Sequence, residues 1–174
     1  MVDATPSQTV RPKAKTAGIT LRLLATAYDL IILFGLLFIA FAISTQIASI
    51  PSNHWLSQLL VTIIAYAYFA GFWSKGGATT GMRPWKLRVA MIDTGDHPSL
   101  ANATVRFFAM GLTWLAFGVT FFQLMAYVAT GNIDKLTFFV ASIIPFISML
   151  CMLLTPRKQP LHDLLAGTSM FKLQ

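Results

Sequence analysis

Residues 22–43 read RLLATAYDLIILFGLLFIAFAI, an apolar run entered by Arg22 and interrupted by a single formal charge, Asp29. A helix needs about 20 apolar residues to cross a hydrocarbon core of about 30 Å. Lipid offers no partners to open backbone N–H and C=O groups, so the run must satisfy them internally, as a helix does. Residues 56–73, 107–129 and 136–154 have the same character. The expected fold is therefore all-α: a polytopic integral membrane protein built as a bundle of four transmembrane helices. With 56% hydrophobic and 11% charged residues, the chain has too little polar surface for a soluble domain of 174 residues.

The basic residues set the orientation. Arg11, Lys13, Lys15, Arg22, Lys75, Arg83, Lys86, Arg88, Arg106, Arg157, Lys158 and Lys172 fall on one side of the four spans, and Lys135 alone falls on the other. The positive-inside rule places both termini and the loop 74–105 in the cytoplasm, and the loops around Ser52 and Asn132 outside, as expected for a multi-pass protein of a bacterial inner (plasma) membrane. The net charge of +7 reflects this flanking of apolar spans; no basic stripe with interleaved aromatics points to nucleic acid. Membrane lipids are the expected partners, together with a second copy or another membrane protein. The first apolar run is longer than a signal-peptide core of roughly 7 to 15 residues, which favours an uncleaved anchor.

Along the chain, residues 1–16 lack large apolar side chains and read as a disordered cytoplasmic tail, leaving 17–174 as the transmembrane domain. Pro51, Ser52 and Asn53 mark an external turn. Trp55 and Trp73 bracket the second span, where amphipathic rings suit the headgroup layers, and Ala67 and Gly71 form a small-residue pair that would admit a neighbouring helix. Gly76 to Gly81 reads as a flexible turn near the headgroups. Trp85, Leu87, Val89 and Met91 then alternate as a short extended segment, with an interfacial helix over 84–91 as the alternative. Asp93 to Asp96 signals a turn, and Pro98 with Ser99 starts and caps the third helix. Pro145 should kink the fourth, with Ser142 serving the carbonyl of Ala141 that the proline leaves free.

Asp29 is the residue with the strongest claim to a function. It lies seven residues, about 10 Å, beyond Arg22, inside the hydrocarbon and on the same helix face. The span tolerates it: thirteen Leu, Ile and Phe residues favour insertion by about 4 to 8 kcal/mol, against about 3 for a central Asp. Arg22 or Arg106 is expected to keep the carboxylate charged. Intramembrane acids serve as proton relays or ion sites, and also as polar clamps between helices; both readings are open here. Asp163 is expected to cap the closing tail or to meet Arg83, Arg88 or Arg106. Arg22, Asp29, Arg106 and Asp163 together form the expected charge network.

Other chemistry is poorly supported. His162 and Asp163 are adjacent and do not face one way on a regular element. His54, His97 and His162 lie apart, and Cys151 is alone, so neither a metal site nor a cofactor is expected. Gly76 to Gly81 has the glycine spacing of a phosphate loop, but Met82 and Arg83 stand where Lys and Ser or Thr are required. No Ser, His and Asp constellation supports nucleophilic catalysis, and an enzyme is not expected.

Three segments resemble the RDD family of bacterial membrane proteins: Arg22 through Asp29, the stretch Gly77 to Gly81 with Leu87, Arg88, Val89 and Gly95, and Leu161-His162-Asp163-Leu164-Leu165-Ala166-Gly167-Thr168. The similarity spans about Ala17 to Leu173, and the closing segment is its most specific part. It implies that Arg22, Asp29 and Asp163 are the family's signature residues. It further implies a small transporter or transport accessory, since ligand transport is proposed for the family and cation/proton antiport is associated with some members. Met82-Arg83-Pro84 departs from the family pattern. The rival expectation is a non-catalytic assembly or partner-binding membrane protein in which the same network is structural.

Overall fold

The computed structural model describes residues 14–46 and 54–173. The apolar runs form four long helices: α1 (Ile19–Gln46), α2 (Trp55–Gly76), α3 (Leu100–Thr130) and α4 (Lys135–Leu154), each long and apolar enough to cross a membrane. The external turn expected at Pro51 to Asn53 lies outside the described residues.

Local chemistry sets the helix ends. His54 Nδ1 accepts from the Leu56 N–H at the start of α2, and Gly77 ends that helix in the left-handed region at φ 72°. Ser99 caps α3 by accepting from the Asn102 N–H at 3.2 Å, so α3 begins seven residues before the apolar run and carries Arg106 within it. Gly131 closes α3, and Asp134 caps α4 by accepting from the backbone of Leu136 and Thr137. Helix α4 continues through Pro145. Ser142 Oγ donates to Phe139 O at 2.9 Å, not to the Ala141 carbonyl as expected, because a helical hydroxyl reaches back three or four residues.

Four long helices are not the whole fold. Strands β1 (Ala14–Thr16), β2 (Leu87–Met91) and β3 (Thr168–Leu173) form an antiparallel sheet in the order β1-β3-β2 at the basic end of the bundle, an addition to the all-α expectation. The alternation after Trp85 is the extended segment; only a 3₁₀ turn, Arg83–Trp85, replaces the interfacial helix. Leu87 and Val89 face the core, where β2 pairs Val89 with Met170 and Met91 with Thr168. The turn at Asp93 to Asp96 is present, with the Met91 N–H donating to Asp96 O. In the expected tail, residues 14–16 are not disordered: they pair with Phe171 to Leu173, whose edge would otherwise leave amides unpaired. Residues 1–13 lie outside the described residues. A short helix, α5 (Leu161–Leu165), links α4 to β3.

Packing runs α1 on α2, α2 on α3 and α3 on α4. The side chains pointing outward, such as Ile31, Phe34, Phe122 and Val128, are large, apolar and exposed, as a lipid-facing surface requires. The buried interior lies toward the basic end, around Ala25, Ala70, Trp73, Val89 and Ala103. Two expectations fail here. Trp73 is 1% exposed and belongs to the core, not to a headgroup layer. No atom approaches the Cβ position of Gly71, so the Ala67 and Gly71 pair seats no neighbouring helix in this chain; the fully buried Ala70, one residue away, is the small residue at the packed face of α2.

Candidate functional site

Two buried carboxylates organise the basic end, and each has its own set of partners. Asp163 is placed by α5, which starts after Pro160 and ends before Gly167, whose φ is 63°. The carboxylate is 0% exposed. Arg22 Nη1 donates to Oδ2 at 2.9 Å, and Arg106 Nη2 lies 2.9 Å from Oδ1 as an ion pair. The arginines are held in turn. Arg22 donates to the carbonyls of Ala17 and Met170, and Arg106 Nη1 donates to Thr168 Oγ1. The Arg106 guanidinium also stacks 4.6 Å from the Trp73 ring centre. The clasp thus ties α1, α2, α3, α5 and β3 together.

Burial pushes the Asp163 carboxyl up, but Arg106, His162 and Arg22 outweigh it and hold the group below its ordinary value. His162 Nε2 lies 3.7 Å from Asp163 Oδ1, too far for a hydrogen bond, and Nδ1 is buried without a partner among the described residues. Burial lowers the His162 imidazole to about 4, against the pull of Asp163 and with the help of both arginines, so it is neutral at pH 7.

Asp29 is 2% exposed, and among the described residues it bonds to neutral donors. Tyr68 OH and the Gly81 N–H donate to Oδ1 at 2.6 and 2.9 Å, and Thr79 OH donates to Oδ2 at 2.6 Å. The expected pairing of Asp29 with Arg22 or Arg106 is therefore corrected. The offset along α1 carries Asp29 about 10 Å from the level of Arg22, and Arg22 turns to Asp163. The space at Asp29 is filled by the loop after α2, which is no flexible turn: Thr79 is fully buried, and the Val89 N–H donates to Gly77 O. A Cβ at Gly81 would lie 2.6 Å from Asp29 Oδ1 and 2.7 Å from Ala25 O, so only glycine allows this approach.

Of the four residues expected to form one network, three do: Arg22, Arg106 and Asp163. Asp29 stands apart with Tyr68, Thr79 and Gly81. Those three carry a faint sequence signal, since a tyrosine inside an apolar span needs an acceptor and a Gly–Thr loop supplies exposed donors. Both carboxylate sites border a cavity of about 410 Å³ between α1 and α4, floored by α5 and β3; Arg22, Asp29, Arg106 and His162 lie in its wall.

Neither the curated proteins nor the solved structures include a match to the chain. A family model does match: that of the RDD family, over residues 16–167. The match takes in both buried carboxylates, from Asp29 on α1 through the loop against it to Asp163 on α5, and the chain belongs to the RDD family.

Proposed function

We propose that the protein is a small transporter or transport accessory of the bacterial inner membrane, with its basic end and both termini in the cytoplasm and Asp29 as its proton or cation site. The observation that carries this reading is the division of partners between the two carboxylates. Both arginines are committed to Asp163, which leaves Asp29 at the cavity wall with no cation within ion-pair distance among the described residues. An acid buried in an apolar span and held by neutral hydroxyls and an amide can gain or lose a proton, or meet a cation, without breaking a structural ion pair. The mechanism needs no cofactor and no covalent chemistry, and the protein is proposed not to be an enzyme.

Purified protein in vesicles carrying a trapped pH dye tests the proposal. An imposed sodium or potassium gradient should drive a pH change in the wild type, and Asp29→Asn should abolish it while the protein remains folded. A wild type without any flux excludes transport by this chain on its own.

The second reading is an assembly or partner-binding membrane protein, whether with a second copy or another chain. It is favoured by the way Asp29 joins three segments of one chain: its bonds fasten α1 to α2 and to the loop. On that reading Asp29→Asn lowers the thermal midpoint and vesicles show no flux.

A further inference from the structure

The cavity between α1 and α4 has two unlike ends. Leu30, Phe107, Met110, Trp114 and Met152 make most of its wall apolar, and Leu30 and Trp114 are about half exposed on faces that meet acyl chains. At the other end lies the arginine clasp, where two guanidinium groups share one carboxylate. With His162 neutral, the clasp holds one uncompensated positive charge away from water.

Two donors there have no acceptor among the described residues. Arg106 Nε and Trp73 Nε1 are buried without a hydrogen-bond partner, and both residues line the cavity. Neither group can ever accept a hydrogen bond, so what satisfies them must bring acceptor oxygens. Asp29 does not supply them, because its oxygens are taken by Tyr68, Thr79 and Gly81.

We propose that this cavity binds one anionic phospholipid of the inner leaflet, with its phosphodiester at Arg106 and Trp73 and an acyl chain along the apolar wall. A phosphodiester carries one negative charge, has acceptor oxygens and no obligatory donors, and thereby matches both the excess charge and the two orphan N–H groups. The volume, about 410 Å³, falls in the range of small-molecule sites. Basic recesses between membrane helices on the cytoplasmic side are suited to such headgroups.

Native mass spectrometry of the full chain, released from vesicles of equal phosphatidylglycerol and phosphatidylcholine, tests the proposal. One phosphatidylglycerol should remain per chain, at least tenfold over phosphatidylcholine. Gly111 lines the cavity with no atom near its Cβ position, and Gly118 has the same open surroundings outside the lining. Gly111→Phe should therefore remove the adduct by at least tenfold, while Gly118→Phe keeps it. Retention of the two lipids in the vesicle ratio overturns the proposal, as does an adduct undiminished by Gly111→Phe, a lipid-free dimer, or displacement of the lipid by millimolar glycerol phosphate. Asp29→Asn should keep the adduct, so a failed ion-flux assay and a failed lipid assay refute different claims.

Discussion

Asp163 Oδ1 lies 2.9 Å from Arg106 Nη2, with Asp163 fully buried and Arg106 almost so. Because Arg22 holds the other oxygen at the same distance, one carboxylate neutralises one of two buried charges and positions both. Removing one partner of such an assembly leaves an unpaired charge in a medium that solvates it poorly, at a cost of about 3–5 kcal/mol. Asp163→Asn should therefore sharply lower the thermal midpoint of the detergent-solubilised protein, followed by tryptophan fluorescence. Arg106→Lys should also lower it, since an ammonium lacks the planar fork and stacks less well on Trp73. An unchanged midpoint for Asp163→Asn would exclude the clasp as a structural element.

His162 predicts an acid-sensitive stability. Its pKa is about 4 when folded and near 6.5 when exposed, so between these values the unfolded chain binds more protons and stability falls as pH falls. The loss begins below pH 6.5, is complete near pH 4, and amounts to at most about 3 kcal/mol. Asp163, held below its ordinary value, contributes its loss only at still lower pH. Midpoints measured from pH 7 to 4 should decline in the wild type and much less in His162→Gln.

The loop after α2 should be intolerant of a single methyl group. At Gly81 a Cβ meets Asp29 and the Ala25 carbonyl, and at Gly77 it meets Val89 O at 2.5 Å with φ at 72°. Gly81→Ala and Gly77→Ala should each destabilise by about 1–3 kcal/mol, whereas Gly71→Ala, with open space at its Cβ position, should be neutral or slightly stabilising. Midpoints of the three variants provide the comparison.

Thr79→Val keeps the shape of a buried residue but deprives Asp29 Oδ2 of the one hydrogen bond it accepts among the described residues. Tyr68→Phe leaves Oδ1 with the Gly81 N–H. Bonds to a charged acceptor contribute about 1.5–3 kcal/mol, so Thr79→Val should be the more damaging variant in denaturant titrations. Equal effects from both would contradict this division of donors.

Orientation can be checked by labelling. In a Cys151→Ala background, a cysteine introduced by Asp96→Cys should react with an impermeant maleimide only after the membrane is opened. One introduced by Asn132→Cys should react in intact cells. The reverse pattern would invert the proposed topology.

The sequence by itself determined the four helices, because the length of an apolar run and the absence of backbone partners in lipid leave little other choice. It also determined the turn at Asp93 to Asp96 and the Ser99 cap, which depend on near neighbours in the chain, whereas it left the segment through Val89 open between a strand and an interfacial helix until its pairing with β3 decided for the strand. It identified Arg22, Asp29, Arg106 and Asp163 as the charges to explain. Which charge meets which was decided only by the tertiary structure, since pairing depends on where α5 folds back against α1 and α3. The same dependence hid β1 and β3, whose amides are satisfied only by strands distant in sequence, and the role of Tyr68, Thr79 and Gly81. It also moved Trp73 from the membrane surface to the core, because an indole that looks like a headgroup anchor in isolation becomes a stacking partner once Arg106 is brought over its face.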